Sequence, residues 1–108
     1  MIRAESLTLT RGERQILGPL SFVLGQASWL SVVGANGAGK STLLRLMAGL
    51  DVPSGGDVKL RDQPVTGIAP LNRAQYIGYL AQSSGTSFPF TVEEYVCLGL
   101  MPHDEKKF

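Results

Sequence analysis

Charge of either sign is scarce in this chain. Only 18% of its 108 residues are charged, and ten Lys or Arg against nine Asp or Glu leave a net charge of +1. That balance lacks the basic surplus a nucleic acid partner needs, so none is expected. A lone cysteine, Cys97, excludes an internal disulfide and suits a reducing cytoplasm. It sits between Val96 and Leu98, without a CxxC pattern or a nearby His, and reads as a buried, inert thiol. The single histidine, His103, lies in a polar tail and is given no role. No apolar run approaches the roughly 20 residues that span a bilayer. Met1-Ile2-Arg3-Ala4-Glu5 lacks the basic-then-apolar order of a signal peptide. There is no internal repeat or low-complexity stretch, and 44% hydrophobic content is that of a globular chain. The length fits one small domain or a piece of a larger one.

Glycine, by contrast, is plentiful at 13 residues, and three fall in Gly34-Ala35-Asn36-Gly37-Ala38-Gly39-Lys40-Ser41-Thr42. This run fits the phosphate-binding pattern of Gly, four residues, then Gly-Lys-Ser/Thr. Ahead of it, Trp29-Leu30-Ser31-Val32-Val33 reads as a buried strand, and behind it Leu43 to Ala48 favours helix. Gly34, Gly37 and Gly39 permit backbone angles a Cβ would forbid, so successive N–H groups could form an anion nest. The helix N-terminus adds unpaired N–H groups and the positive end of its dipole. Lys40 supplies a mobile charge for the β- and γ-phosphates, and the Ser41 hydroxyl is the expected Mg²⁺ ligand.

Elsewhere the pattern is coarser. Leu7 to Thr10 suggests an edge or half-buried strand, Arg11-Gly12-Glu13-Arg14 a turn, and Gln15 to Leu17 and Leu20 to Leu24 further extended runs. Turns this short force antiparallel pairing. The helix from Lys40 is apolar on nearly every side, which predicts burial between layers, and Gly49 should end it. Asp57 to Leu60 reads as a short strand, Pro70 to Gln75 as a short helix, and Tyr76 to Leu80 as a strand ending at Ala81-Gln82. Ser83 to Ser87 reads as a polar loop. Thr91-Val92-Glu93-Glu94 is a capping box for a helix to about Leu100, stopped by Met101-Pro102.

In this order the chain resembles the first part of an ATP-binding cassette (ABC) ATPase domain, across nearly its whole length. Besides the loop, the resemblance rests on Ala48-Gly49-Leu50, Pro53-Ser54-Gly55-Gly56-Asp57-Val58 and Ile77-Gly78-Tyr79-Leu80-Ala81-Gln82. It implies an α/β fold: a P-loop NTPase core of ABC type, truncated, with an N-terminal antiparallel β-subdomain. Residues 1–82 would hold that subdomain and the core, and 83–108 the start of a helical subdomain. It also implies ATP and Mg²⁺ as cofactors. Residues 34–42 would bind nucleotide, Lys40 and Gln82 would act in catalysis, and Ser41 and Gln82 would ligate the metal. Gln82 would be the Q-loop glutamine, a neutral amide that ligates Mg²⁺ or orients water. Phe88 to Val96 resembles the corresponding segment in importers of iron chelates, haem and vitamin B12. The implied protein is an ATPase subunit that couples ATP hydrolysis to transport, with a membrane-spanning permease and a second ATP-binding domain, in a homodimer, as partners. It would lie on the cytoplasmic face of the inner membrane. Phe88 and Phe90 would either dock on the permease or pack the subdomain core.

The chain also departs from the family pattern. Arg11 stands where many members place an adenine-stacking aromatic, and its guanidinium either lies on the base or is solvated. No Walker B run of four apolar residues, Asp and Glu is present, nor a signature motif or switch histidine; Ser54-Gly55-Gly56 only mimics the signature. This chain alone is therefore expected to hydrolyse ATP negligibly. The other readings are a soluble, non-transport ABC ATPase and a non-catalytic nucleotide-binding fragment. A small kinase or GTPase fits less well, having no place for the early antiparallel strands.

Overall fold

A computed structural model describes residues 1–82 and 89–103. The chain divides into two units, Met1–Ile68 and Ala69–Phe108.

The first unit is built on a four-stranded antiparallel sheet. Its strands are β1 (Ile2–Arg11), β2 (Arg14–Leu24), β3 (Gly55–Leu60) and β4 (Gln63–Pro64), in the order β2-β1-β3-β4. The antiparallel reading of the N-terminus therefore holds. β1 is a central strand, not an edge, because β3 returns to its far side. The two extended runs expected at Gln15–Leu17 and Leu20–Leu24 are one continuous strand, β2.

The side-chain phase of β1 is set by a bulge. Ala4 pairs with Phe22 and Val58, Leu7 with Leu20, and the register slips between Ala4 and Leu7. Ser6 takes a left-handed conformation, φ +48°. The slip lets Ala4, Leu7 and Leu9 all point into the core, which strict alternation from Ala4 would forbid. The Ser21 hydroxyl replaces a ladder partner by accepting from the Ser6 N–H at 2.8 Å. Opposite the bulge the backbones come close. A Cβ on Gly56, at φ +72°, would lie 2.2 Å from the Ser6 carbonyl oxygen, so only glycine fits there.

Helix α1 (Lys40–Met47) closes the core from above the sheet with Leu43 and Leu46 buried, and Ala48 just beyond it. Val58 and Val65 complete it. The expectation of a helix buried between layers is corrected, since Leu44 is 48% exposed and α1 buries one face. The helix ends as Gly49 predicts. The Gly49 N–H donates to the Leu46 carbonyl at 3.1 Å and the Leu50 N–H to the Arg45 carbonyl at 2.9 Å, a Schellman pair.

Trp29–Val33 does not form the expected strand. Apolar, β-branched residues favour extension, but a strand exists only with a ladder partner, and none of β1 to β4 pairs with this run. Trp29 is 91% exposed.

The second unit holds a short helix α2 (Pro70–Arg73), then α3 (Val92–Cys97), which runs into a 3-10 helix, Leu98–His103. The helix expected to reach Leu100 thus loosens at Leu98, and Pro102 lies inside the 3-10 segment rather than stopping it. Thr91 caps α3, its hydroxyl accepting from the Glu94 N–H at 3.1 Å. Residues 77–81 carry no regular structure, so the strand expected at Tyr76–Leu80 is likewise absent. Cys97 is exposed rather than buried, because α3 has no buried residue. The loop expected at Ser83–Ser87, and Phe88, lie outside the described residues.

Candidate functional site

After β2 the chain runs without a ladder partner to a turn at Asn36-Gly37, where the Ala38 N–H donates to the Ala35 carbonyl at 3.1 Å. Gly39 then turns the backbone into α1. Its φ of 95° and ψ of 14° are left-handed, as its side-chain freedom requires, and its carbonyl accepts the first helical bond, from the Leu43 N–H at 2.9 Å. The reason for glycine is also spatial: a Cβ there would stand 3.2 Å from the Ile16 carbonyl oxygen and 3.7 Å from Leu17 Cδ1. The loop is thus seated against β2. Gly37 is left-handed too, at φ +86°, but faces open space. Gly34 has no positive φ; its reason for lacking a Cβ is the Ala38 methyl, 3.3 Å away.

The helix start carries no acidic counter-charge in its first turn, and Gly39 offers no side-chain cap. Its N–H groups and the positive end of its dipole are therefore not offset by the protein's own carboxylates. Lys40 Nζ donates to the Gly34 carbonyl oxygen, holding the loop's one cation against its first glycine. Ser41, the second residue of the helix, is exposed. Residues 34–42 are thus brought together in one loop and helix start. Gln82 lies in the second unit at an exposed bend. Arg11 is exposed at the end of β1, paired across the hairpin with Arg14.

Two contacts that tie the segment after α1 to β1 and to the helix escape a reading by motif. Ser54 joins the loop after α1 to β1: its N–H donates to the Thr8 carbonyl at 2.8 Å, and its hydroxyl accepts from the Thr10 N–H at 2.9 Å. Arg45 on α1 holds Asp51 just beyond the helix, and keeps the Asp51 carboxyl below its ordinary value mainly through that hydrogen bond. A serine between Pro53 and a strand start was the available signal for the first. An Arg in the last turn of a helix was the signal for the second.

The family model for ABC transporters matches residues 17–107. The chain belongs to the ABC transporter family. Among its ABC transporter relatives is the hemin import ATP-binding protein HmuV of Pseudomonas putida, 39% identical over 103 residues, or 95% of this chain and 40% of that protein. HmuV of Rhizobium meliloti is 39% identical over 101 residues, 94% of this chain and 38% of the relative. HmuV of Myxococcus xanthus is 39% identical over 105 residues, 97% and 39% respectively. The chain therefore spans about two fifths of the length of these curated ABC transporter relatives. Among the described residues no helix is long and apolar enough to cross a membrane, and no group of three or more His, Cys, Asp and Glu could hold a metal ion.

Proposed function

We propose that this chain is the nucleotide-binding part of the ATPase subunit of an ABC importer, with haem as the cargo. The observation that carries the reading is the loop. An uncapped helix start free of acids, entered through left-handed Gly39 and closed by Lys40, suits a phosphate chain and little else. In this reading residues 34–42 hold the β- and γ-phosphates of ATP, Lys40 neutralises charge there, and the fold around them is a P-loop core. Arg11, on the hairpin whose second strand seats Gly39, is one candidate for the base.

Mg²⁺ fits the donor set. Among the described residues no group of three or more His, Cys, Asp and Glu could hold a metal ion, and the ion would be held by the exposed Ser41 hydroxyl and the phosphates themselves, as Mg²⁺ commonly is; Gln82 keeps the ligand role that the family resemblance implies. When bound, it would neutralise charge that builds on the transferred phosphoryl group. Hydrolysis belongs to the complete domain, with a second ATP-binding domain of the same kind and a membrane-spanning permease as partners. The location is the cytoplasmic face of the inner membrane. The hemin import relatives, at about 39% identity, support haem as the cargo; iron chelates and vitamin B12 are the neighbouring alternatives.

Gene disruption tests the cargo, with uptake of haem, a ferric chelate and vitamin B12 measured in parallel. Loss of haem uptake alone is expected. Unchanged uptake of all three would contradict the transport reading. A second reading, a nucleotide binder without turnover, is favoured for the 108-residue chain by its want of a Walker B acid pair. Steady ATP turnover by the purified chain, abolished in Lys40→Ala, would exclude it.

A further inference from the structure

On the first unit, away from the phosphate loop in sequence, Met1, Arg3, Lys59, Arg61 and Asp62 line a shallow depression open to solvent. Three of its five lining residues are cations and one is an acid. Arg3 and Lys59 stand directly opposite each other on β1 and β3. Like charges so placed repel, and sheets ordinarily avoid them unless something compensates.

The compensation at Arg3 is loose. Arg3 reaches both Glu5, at 3.5 Å, and Asp62, at 3.8 Å, through the same terminal nitrogen. Charge-assisted bonds normally close to 2.7–2.9 Å. Lys59 is held at 3.2 Å from Glu5, which lies outside the depression. The Glu5 carboxyl stays below its ordinary value, chiefly through the Lys59 hydrogen bond, as it would in a locally positive field.

The turn that carries the third cation is unusual. Leu60 pairs with Gln63, so Arg61 and Asp62 form a two-residue hairpin loop, and both are left-handed, at φ +52° and +64°. Asn-Gly is the low-strain choice for such a turn. Here the strained pair presents an Arg and an Asp to the depression, with the Arg61 N–H donating to the Met1 carbonyl at 3.4 Å.

We propose that this depression is an oxyanion site, in which Arg3, Lys59 and Arg61 bind a phosphate group and Asp62 limits its affinity. A guanidinium pair and an ammonium match the tetrahedral spread of phosphate oxygens. The phosphate could belong to a small molecule or to a lipid headgroup, and the chemistry at the three cations is the same.

The test is a titration of the isotope-labelled Lys40→Ala chain with sodium phosphate at constant ionic strength, followed by amide NMR; this variant removes the phosphate loop's cation. Saturable shifts centred on residues 3, 59, 61 and 62 are expected. Arg61→Gln should weaken them about fivefold, and Asp62→Asn should tighten them by a similar factor. The second variant matters because a damaged fold cannot produce tighter binding. Sedimentation with phosphatidylcholine vesicles, with and without phosphatidylglycerol, then separates the sources. Recruitment to the anionic vesicles, lost in Arg61→Gln, assigns a lipid phosphate; phosphate binding without recruitment assigns a small molecule. Shifts that never saturate, or that are unchanged in both variants, overturn the site.

Discussion

Arg45 holds Asp51 through two parallel bonds, Nε to Oδ2 at 2.9 Å and a terminal nitrogen to Oδ1 at 3.2 Å. The pair ties the last turn of α1 to the loop that follows, on the helix whose other end meets the loop at residues 34–42. Because the Asp51 carboxyl sits below its ordinary 3.8 in the folded chain, its stabilisation is present above that value and is lost as the pH falls through and below it. The side chains are 45% and 28% exposed, so the effect is small, about 0.5–1 kcal/mol. Glu5 titrates in the same direction, so the variant comparison is needed to isolate Asp51. Melts of the chain and of Arg45→Met from pH 7 to pH 3 should converge towards the acid end. Curves that stay parallel would mean that ionisation of Asp51 is not coupled to stability through this pair.

Gly39 and Gly37 both sit at positive φ, yet only Gly39 is pressed against β2. Gly37→Ala should cost only the left-handed strain, about 1 kcal/mol. Gly39→Ala adds the approach to the Ile16 carbonyl and should cost about twice that, read from denaturant midpoints. Equal costs would show that the loop does not rest on the strand.

The one-sided burial of α1 gives a second contrast. Leu46 is fully buried and Leu44 is half exposed. Leu46→Ala is expected to cost about 2–5 kcal/mol, and Leu44→Ala under about 1 kcal/mol. Similar losses at both positions would restore the view of a helix covered on all sides.

Local backbone chemistry was the legible part of this fold. The Gly39 turn, the Gly49 stop and the Thr91 cap each depend on a few adjacent residues, and each forms where the residues place it. Tertiary features were not legible. The Ser6 bulge hides behind an apparent irregularity of alternation, and the Ser54 clamp joins residues 44 apart, Thr10 and Ser54. Trp29–Val33 and Tyr76–Leu80 have strand composition, but pairing is a property of the partner, which neither run finds among β1 to β4. Cys97 was misread for a related reason: apolar neighbours in sequence do not bury a residue unless another layer covers the helix.

The central claim is that the loop at residues 34–42 binds the phosphates of ATP through Lys40. Thermal melts of the chain and of Lys40→Ala, each with and without Mg-ATP, test it most directly. At 100 times the dissociation constant, nucleotide should stabilise the chain by about 2.7 kcal/mol. Lys40→Ala should melt almost unchanged without nucleotide and bind roughly 10–100-fold more weakly, losing most of that shift. No shift for the parent chain, or the same shift for both proteins, would contradict the account.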